Sequence, residues 1–93
     1  MITREITIKG KVQGVFFRAS AKEIADGLKI TGTVCNLADG NVQVVASGTE
    51  ESIEKFVEWC RKGPDQARVE SVNIRELPYL AADRFLVIRG RNL

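Results

Sequence analysis

The sequence predicts an α+β fold of the ferredoxin-like, split β-α-β type: βαββαβ plus a short C-terminal strand, an antiparallel sheet with two helices on one face. Three observations predict it. Apolar residues recur at every second position in some segments and at helical spacing in two others. Turn chemistry at Gln13-Gly14, Asp39-Gly40 and Gly63-Pro64 separates these segments. Their order is strand, helix, strand, strand, helix, strand. Strand-helix-strand crossovers are right-handed, so both helices must cover the same face. The opposite face is then partly wet, which suits Lys9, Lys11, Thr33 and Gln43.

Taken in order, Ile6, Ile8, Gly10 and Val12 alternate with Thr7, Lys9 and Lys11, a half-buried strand ending at Gln13-Gly14. Phe17, Ala21, Ile24 and Leu28 then recur at spacings of four, three and four. Ser20 and Glu23 fit a capping box that would start this helix after Ser20. Burying Phe17 is worth more than one cap, so the earlier start is expected, with an end near Gly27–Lys29. Residues 32–48, GTVCNLADGNVQVVASG, read as a hairpin turning at Asp39-Gly40. Val34 and Asn36 share one face of it, Thr33 and Cys35 the other, and Val42, Val44 and Ala46 continue the apolar face.

Thr49 begins a second helix, with Glu50 and Glu51 well placed for its N-terminal dipole. Ile53, Phe56, Val57 and Cys60 form its inner stripe, and Gly63-Pro64 stops it. Trp59 packs one turn after Phe56. Glu54, Lys55, Glu58, Arg61 and Lys62 read as a solvated face with local ion pairs. A long strand spans about Ala67 to Glu76, with Val72 and Ile74 in phase and Val69 out of phase, which suggests a bulge. LPYLAAD is a loop whose Tyr79 and Leu80 either gate a site or cover the sheet, and RFLVIRG is a short last strand.

Residues 1–93 make one domain, with no repeat, linker or low-complexity tract. The balance of 14 basic and 12 acidic residues, net +2, does not by itself imply nucleic acid or membrane. There is no apolar run of membrane-spanning length and no signal-peptide pattern, so the expectation is a cytoplasmic protein. The chain has no histidine, and its two cysteines, Cys35 and Cys60, are 25 positions apart. That inventory argues against a zinc site and removes the commonest general acid-base group. Strand and helix phase put the two thiols on opposite sides of the sheet, free and unbridged, with Cys35 the more exposed.

The segment GKVQGVFFRAS, residues 10–20, is the one that asks for a function. Residues 13–18 join a strand to a helix N-terminus, where backbone N–H groups lack helical partners and can hold an anion. Gly14 lets the backbone approach a ligand, and Arg18 adds a planar, permanently charged fork. From this loop alone, a plain turn with a surface arginine reads as well. Asn36 shifts the balance, because it stands where the strand pattern expects an apolar side chain. It either caps the hairpin or holds a ligand. If the central strands are neighbours, it lies at the same end of the sheet as the loop, and the two can hold a phosphate and a water together.

IKGKVQGVFFR, residues 8–18, resembles the first acylphosphatase signature at each characteristic position. Residues 32–48 resemble the second signature less fully, keeping the asparagine, Gly40, Val42 and Gly48. GPDQARVESV, residues 63–72, resembles the segment after the family's second helix. The resemblance implies that the loop amides from Gln13, Gly14, Val15, Phe16 and Phe17, with Arg18, bind the phosphoryl group. It gives Asn36 the attacking water, makes Arg18 and Asn36 the catalytic pair, and implies hydrolysis of a small-molecule acyl phosphate to carboxylate and phosphate. Three positions depart from the family pattern. Thr33 replaces a large aromatic and Cys35 a longer residue, both on the open face. Lys29 stands where glycine is usual after the first helix. It either adopts a left-handed conformation, at about 1 kcal/mol, or the helix ends one turn early.

The implied chemistry accounts for the missing histidine. The leaving carboxylate has a conjugate acid of pKa about 4 and needs no general acid. Phosphoryl transfer needs charge stabilisation and positioning, and the phosphate itself can take the water's proton. No cofactor and no metal is called for. Inorganic phosphate is expected as product and inhibitor, and the protein as a monomer binding neither nucleic acid nor membrane. The alternative is a catalytically weak phosphate- or anion-binding, regulatory module of the same fold. An RNA-binding module would need exposed aromatic pairs on the central strands, which are absent.

Overall fold

The computed structural model describes the backbone of residues 1–92 and the side-chain surroundings of residues 1–89. The elements follow the expected order: β1 (Ile2–Lys11), α1 (Phe17–Gly27), β2 (Thr31–Leu37), β3 (Val42–Gly48), α2 (Glu50–Lys62), β4 (Arg68–Leu77) and β5 (Phe85–Asn92). The sheet order is β4-β1-β3-β2-β5. β1 pairs antiparallel with β3 and β4, and β2 antiparallel with β3. β5 corrects one detail of the expected sheet, since it runs parallel to β2 and makes the sheet mixed.

The short crossover forces that direction. β4 and β5 occupy opposite edges, and residues 78–84 cross the sheet at the end where β4 stops and β1 begins. β5 must therefore start at that end and run the same way as β1 and β2. The crossover is pinned midway. The Leu80 N–H donates to Thr3 Oγ1 at 2.8 Å, Ser47 Oγ donates to the Leu80 carbonyl at 2.7 Å, and the two buried hydroxyls lie 2.6 Å apart. Thr3 is a strand length, roughly 30 Å, from Gln13. Of the two roles left open for Tyr79 and Leu80, covering the sheet is the one their position allows.

One core lies between the helices and the sheet. Ile6, Ile8, Val34, Val42, Val44 and Ala46 face Phe17, Ala21 and Ala25 of α1 and Ile53, Phe56 and Cys60 of α2. Trp59 closes the gap, its ring centroid 5.2 Å from that of Phe17 and 6.1 Å from that of Phe56. At the end of α2, Gly63 has φ 71°, and a Cβ there would stand 2.9 Å from the Phe17 ring. Glycine meets both the left-handed backbone and the close aromatic approach.

α1 starts at Phe17, so burial of that ring prevails over the Ser20 capping box. At its C-terminus Lys29 is left-handed, with φ 60°. The Ile30 N–H reaches the Ala25 carbonyl at 2.8 Å and the Lys29 N–H that of Asp26 at 3.1 Å, the Schellman pattern. Those satisfied carbonyls and the buried Ile30 offset about 1 kcal/mol of backbone strain. α2 is capped by Thr49, whose Oγ1 accepts from the Ser52 N–H at 3.1 Å. The ion pairs expected along its outer face do not form. Among the described residues, Glu54, Lys55, Glu58, Arg61 and Lys62 have no opposite charge within 4.0 Å. β4 has its irregularity beside Val69: Lys9 pairs with Ser71 and Gly10 with Val69, leaving Glu70 extra.

Both cysteines are free. Cys35 is the more accessible of the two, as expected, though it too is buried. It is only 7% accessible, against 0% for Cys60. β5 docks on β2 and turns what would be an edge strand into an inner one.

Candidate active site

The β1–α1 loop is built from alternating anchors and openings. Val12, Val15 and Phe17 are buried and tie the loop to the core. Between them, Gly14 has φ 75°, and no atom of the described residues lies within 4 Å of where a Cβ would stand. Phe16 is also left-handed, at φ 64° and ψ 26°, and 76% exposed. An aromatic in that region costs about 1–2 kcal/mol, strain that the buried residues on either side hold in place.

This conformation leaves the first turn of α1 open. Phe16 offers no side-chain cap, and the first turn carries no acidic residue. The Ser20 N–H is the first to find a backbone partner, the Phe16 carbonyl at 3.1 Å. Among the described residues, no backbone carbonyl accepts from the N–H groups of Gly14 to Ala19. A run of unpaired donors at a helix N-terminus is a ready anion site.

Arg18 is the second residue of α1, and its Nη1 donates to the Ile88 carbonyl of β5 at 2.9 Å. Asn36 lies near the end of β2, paired with Val42. Its Oδ1 is buried and has no hydrogen-bond partner among the described residues. Leaving a buried acceptor unpaired costs about 1–3 kcal/mol. Arg18, Asn36, Gly14 and Phe16 line one cleft of about 510 Å³.

The predicted site residues therefore divide. Gly14, Phe16, Phe17, Arg18 and Asn36 meet at the cleft; Gln13 and Val15 are not among its lining side chains. Val15 is in the core. The Gln13 Nε2 donates to the Leu37 carbonyl at 2.8 Å and to that of Asn41 at 2.9 Å, so its side chain braces the hairpin. Sequence reasoning missed Arg89, which also lines the cleft. A signal for it existed, since Phe85, Val87 and Arg89 alternate and Phe85 belongs to the core.

Charge in the cleft comes mainly from arginine. Burial raises the Cys35 thiol above its ordinary pKa, and the Arg18 charge draws it back down in part. Burial pushes the Cys60 thiol up to about 12, well away from the cleft chemistry. Fixed cationic charge, open amides and one unpaired amide oxygen together suit an oxyanion with a water beside it.

Comparison with known proteins points the same way. The family model described as Acylphosphatase matches residues 4–87. A protein named Acylphosphatase from Legionella pneumophila (strain Corby) is 51% identical over 72 residues, 77% of this chain and 79% of that protein. A solved acylphosphatase structure from Coxiella burnetii aligns at TM-score 0.90 with 42% identity, covering 94% of this chain and 92% of that one. Another, from Bacillus subtilis, aligns at TM-score 0.92 with 34% identity, covering 95% and 99%.

Proposed function

The chain belongs to the acylphosphatase family, and from that premise we propose how it hydrolyses acyl phosphates: the Gly14–Arg18 cradle holds the phosphoryl group while Asn36 orients the attacking water. The enzyme cleaves the carboxylic-phosphoric anhydride to carboxylate and inorganic phosphate. The water oxygen bonds to phosphorus as the bond from phosphorus to the acyl oxygen breaks. The electron pair leaves with the carboxylate, whose conjugate acid has a pKa of about 4, so no proton need be supplied to it. The water's proton passes to a phosphoryl oxygen.

Each group has a physical task in this reading. Arg18 presents a rigid fork to two phosphoryl oxygens, and the open N–H groups of the loop and first helical turn take the others. Both are in place before charge shifts in the loose transition state, so they stabilise it without reorganising. Gln13 and Val15 contribute backbone N–H groups, while Gln13's side chain keeps the loop against the hairpin that carries Asn36. Among side chains, Arg18 and Asn36 are the catalytic pair.

The observation that carries the reading is the unpaired Asn36 Oδ1. An amide oxygen accepts hydrogen bonds only. A water donating to it keeps a lone pair free, and in a cleft shared with Arg18 that lone pair can face phosphorus. The test is hydrolysis of benzoyl phosphate in ¹⁸O-water. Label in the released phosphate is expected; label in benzoate means attack at the carbonyl carbon and overturns the assignment. Absence of turnover favours the catalytically weak anion-binding module.

The same reading takes residues 1–93 as one catalytic domain, working as a monomer in the cytoplasm on a small soluble substrate. Inorganic phosphate is its product and competitive inhibitor. Two observations support a substrate of this kind rather than a membrane or RNA. No helix among the described residues is long and apolar enough to cross a membrane. The central strands β1 and β3 carry no aromatic residue for stacking on bases.

A further inference from the structure

We propose that Arg89 is a specificity-determining residue that reads a negative charge on the far end of the acyl group, so that the enzyme favours acyl phosphates whose acyl chain carries a second anion. The proposal rests on the hydrolase reading above and adds a substrate class to it.

The structural basis is a break in the pairing of β5. Val34 of β2 is opposite Val87, yet Asn36 is opposite Arg91. Residues 88–90 thus lie against the single residue Cys35. β5 is an edge strand, so part of its backbone faces away from β2, and the break frees residues 88–90 further from regular pairing. Here the Ile88 carbonyl instead accepts from Arg18 Nη1 at 2.9 Å, and Arg89 comes to line the cleft that Arg18 and Asn36 share. The break leaves the Ile88 carbonyl to hold the phosphoryl-binding arginine, while the alternation of Phe85, Val87 and Arg89 brings a second arginine to the same cleft.

The remaining charges leave Arg89 without another task. Lys22 also lines the cleft, but its Nζ is 3.1 Å from Asp26 Oδ2 and donates to the Phe85 carbonyl at 3.0 Å. Lys22 and Asp26 thereby neutralise each other. Among the described residues Arg89 has no carboxylate within 4.0 Å. Glu23, on the α1 side of the cleft, would repel an anionic tail and direct it toward β5. Once the phosphoryl group occupies Arg18 and the loop amides, Arg89 is, among the described residues, the cation left for the other end of the substrate.

The experiment compares acetyl phosphate, with no distal charge, and succinyl phosphate, with a distal carboxylate, on the wild-type chain and on Arg89→Gln and Arg89→Lys. Wild type should prefer succinyl phosphate in kcat/KM. Arg89→Gln should raise KM for succinyl phosphate about tenfold with kcat held, the pattern of lost ground-state binding. Acetyl phosphate kinetics and inhibition by inorganic phosphate should change less than about twofold, and Arg89→Lys should restore part of the preference. Equal losses on both substrates and on phosphate inhibition would make Arg89 a second phosphoryl ligand and overturn the proposal. Unchanged kinetics on both would also overturn it, and either result leaves the hydrolase reading intact. No turnover of either substrate by wild type sinks both.

Discussion

Gln13 and Leu37 are bonded across the gap between the cradle loop and the β2–β3 hairpin. The Gln13 Nε2 donates to the Leu37 carbonyl at 2.8 Å, and to the Asn41 carbonyl at 2.9 Å. The amide thus joins the first residue of the loop to the strand end next to Asn36. Arg18 is tied in turn to Ile88 of β5. Two elements distant in sequence, the hairpin and the last strand, set the separation of the two groups proposed to act on the substrate.

Gln13→Ala should therefore disturb both stability and turnover. The Leu37 and Asn41 carbonyls each lose one of two donors, keeping the Gly40 and Leu37 N–H groups respectively, which costs about 1 kcal/mol, read as a lower urea midpoint with unchanged slope. Turnover of benzoyl phosphate should fall about tenfold as loop and Asn36 lose their mutual position. Gln13→Glu should be worse, because a carboxylate facing two carbonyls cannot donate. Unaltered kcat in both variants would mean that the brace has no part in positioning.

Arg18→Ala should remove turnover and competitive inhibition by inorganic phosphate while the far-ultraviolet circular dichroism stays native. Lysine should rescue poorly, since it lacks the planar fork and cannot reproduce the contact with Ile88 along with a bidentate grip. Near-normal hydrolysis by Arg18→Ala would remove Arg18 from the site.

Asn36→Val should separate stability from function. It replaces an unpaired buried acceptor with an apolar group in a strand, and should raise stability by about 1 kcal/mol. Turnover should fall by orders of magnitude, while the phosphate inhibition constant moves less than about threefold. A destabilised variant would show Asn36 to be a hairpin cap; retained turnover would release it from the water-orienting role.

Gly14→Ala should weaken phosphate binding more than it lowers stability. The Cβ meets no atom of the described residues, but φ 75° imposes about 1 kcal/mol of strain. The added methyl stands in the space of the cleft. A rise of several-fold in the phosphate inhibition constant is expected, and an unchanged constant would place the bound anion elsewhere.

The cysteines set a pH dependence whose sign can be worked out. Burial raises the Cys60 thiol to about 12 in the folded chain, while an unfolded thiol titrates near its ordinary value of about 8.5. The folded state keeps its proton longer. The stability this represents is fully present below about pH 8.5 and is lost as pH rises toward 12, by at most about 1.4 kcal/mol per pH unit. Urea midpoints of wild type and Cys60→Ala, compared between pH 8 and 11, should converge as pH rises. A constant gap would contradict the buried-thiol origin. Thiol reagents should label native protein slowly, Cys35 before Cys60, and Cys35→Ser should retain turnover.

Sequence by itself determined the local features: the period of each element, the start of α1 at Phe17, the turn at Asp39-Gly40, and the irregularity beside Val69. It also carried the meeting of Arg18 with Asn36 on the condition that the central strands pair, which they do through β3: β1 and β2 flank it, run the same way and end at the same end of the sheet. These follow from forces acting over a few residues: side-chain periodicity, turn chemistry and burial of one apolar stripe. Tertiary structure alone decided the rest. Nothing local says that the Gln13 side chain bonds to a hairpin more than 20 positions away, or that Lys29 accepts a left-handed backbone so that Ile30 can be buried. The edge and direction taken by β5 depend on where β4 leaves the sheet and on which edge remains unpaired. That choice buries Cys35, ties Arg18 to Ile88 and brings Arg89 to the cleft, because sheet pairing joins strands by their edges whatever their separation along the chain.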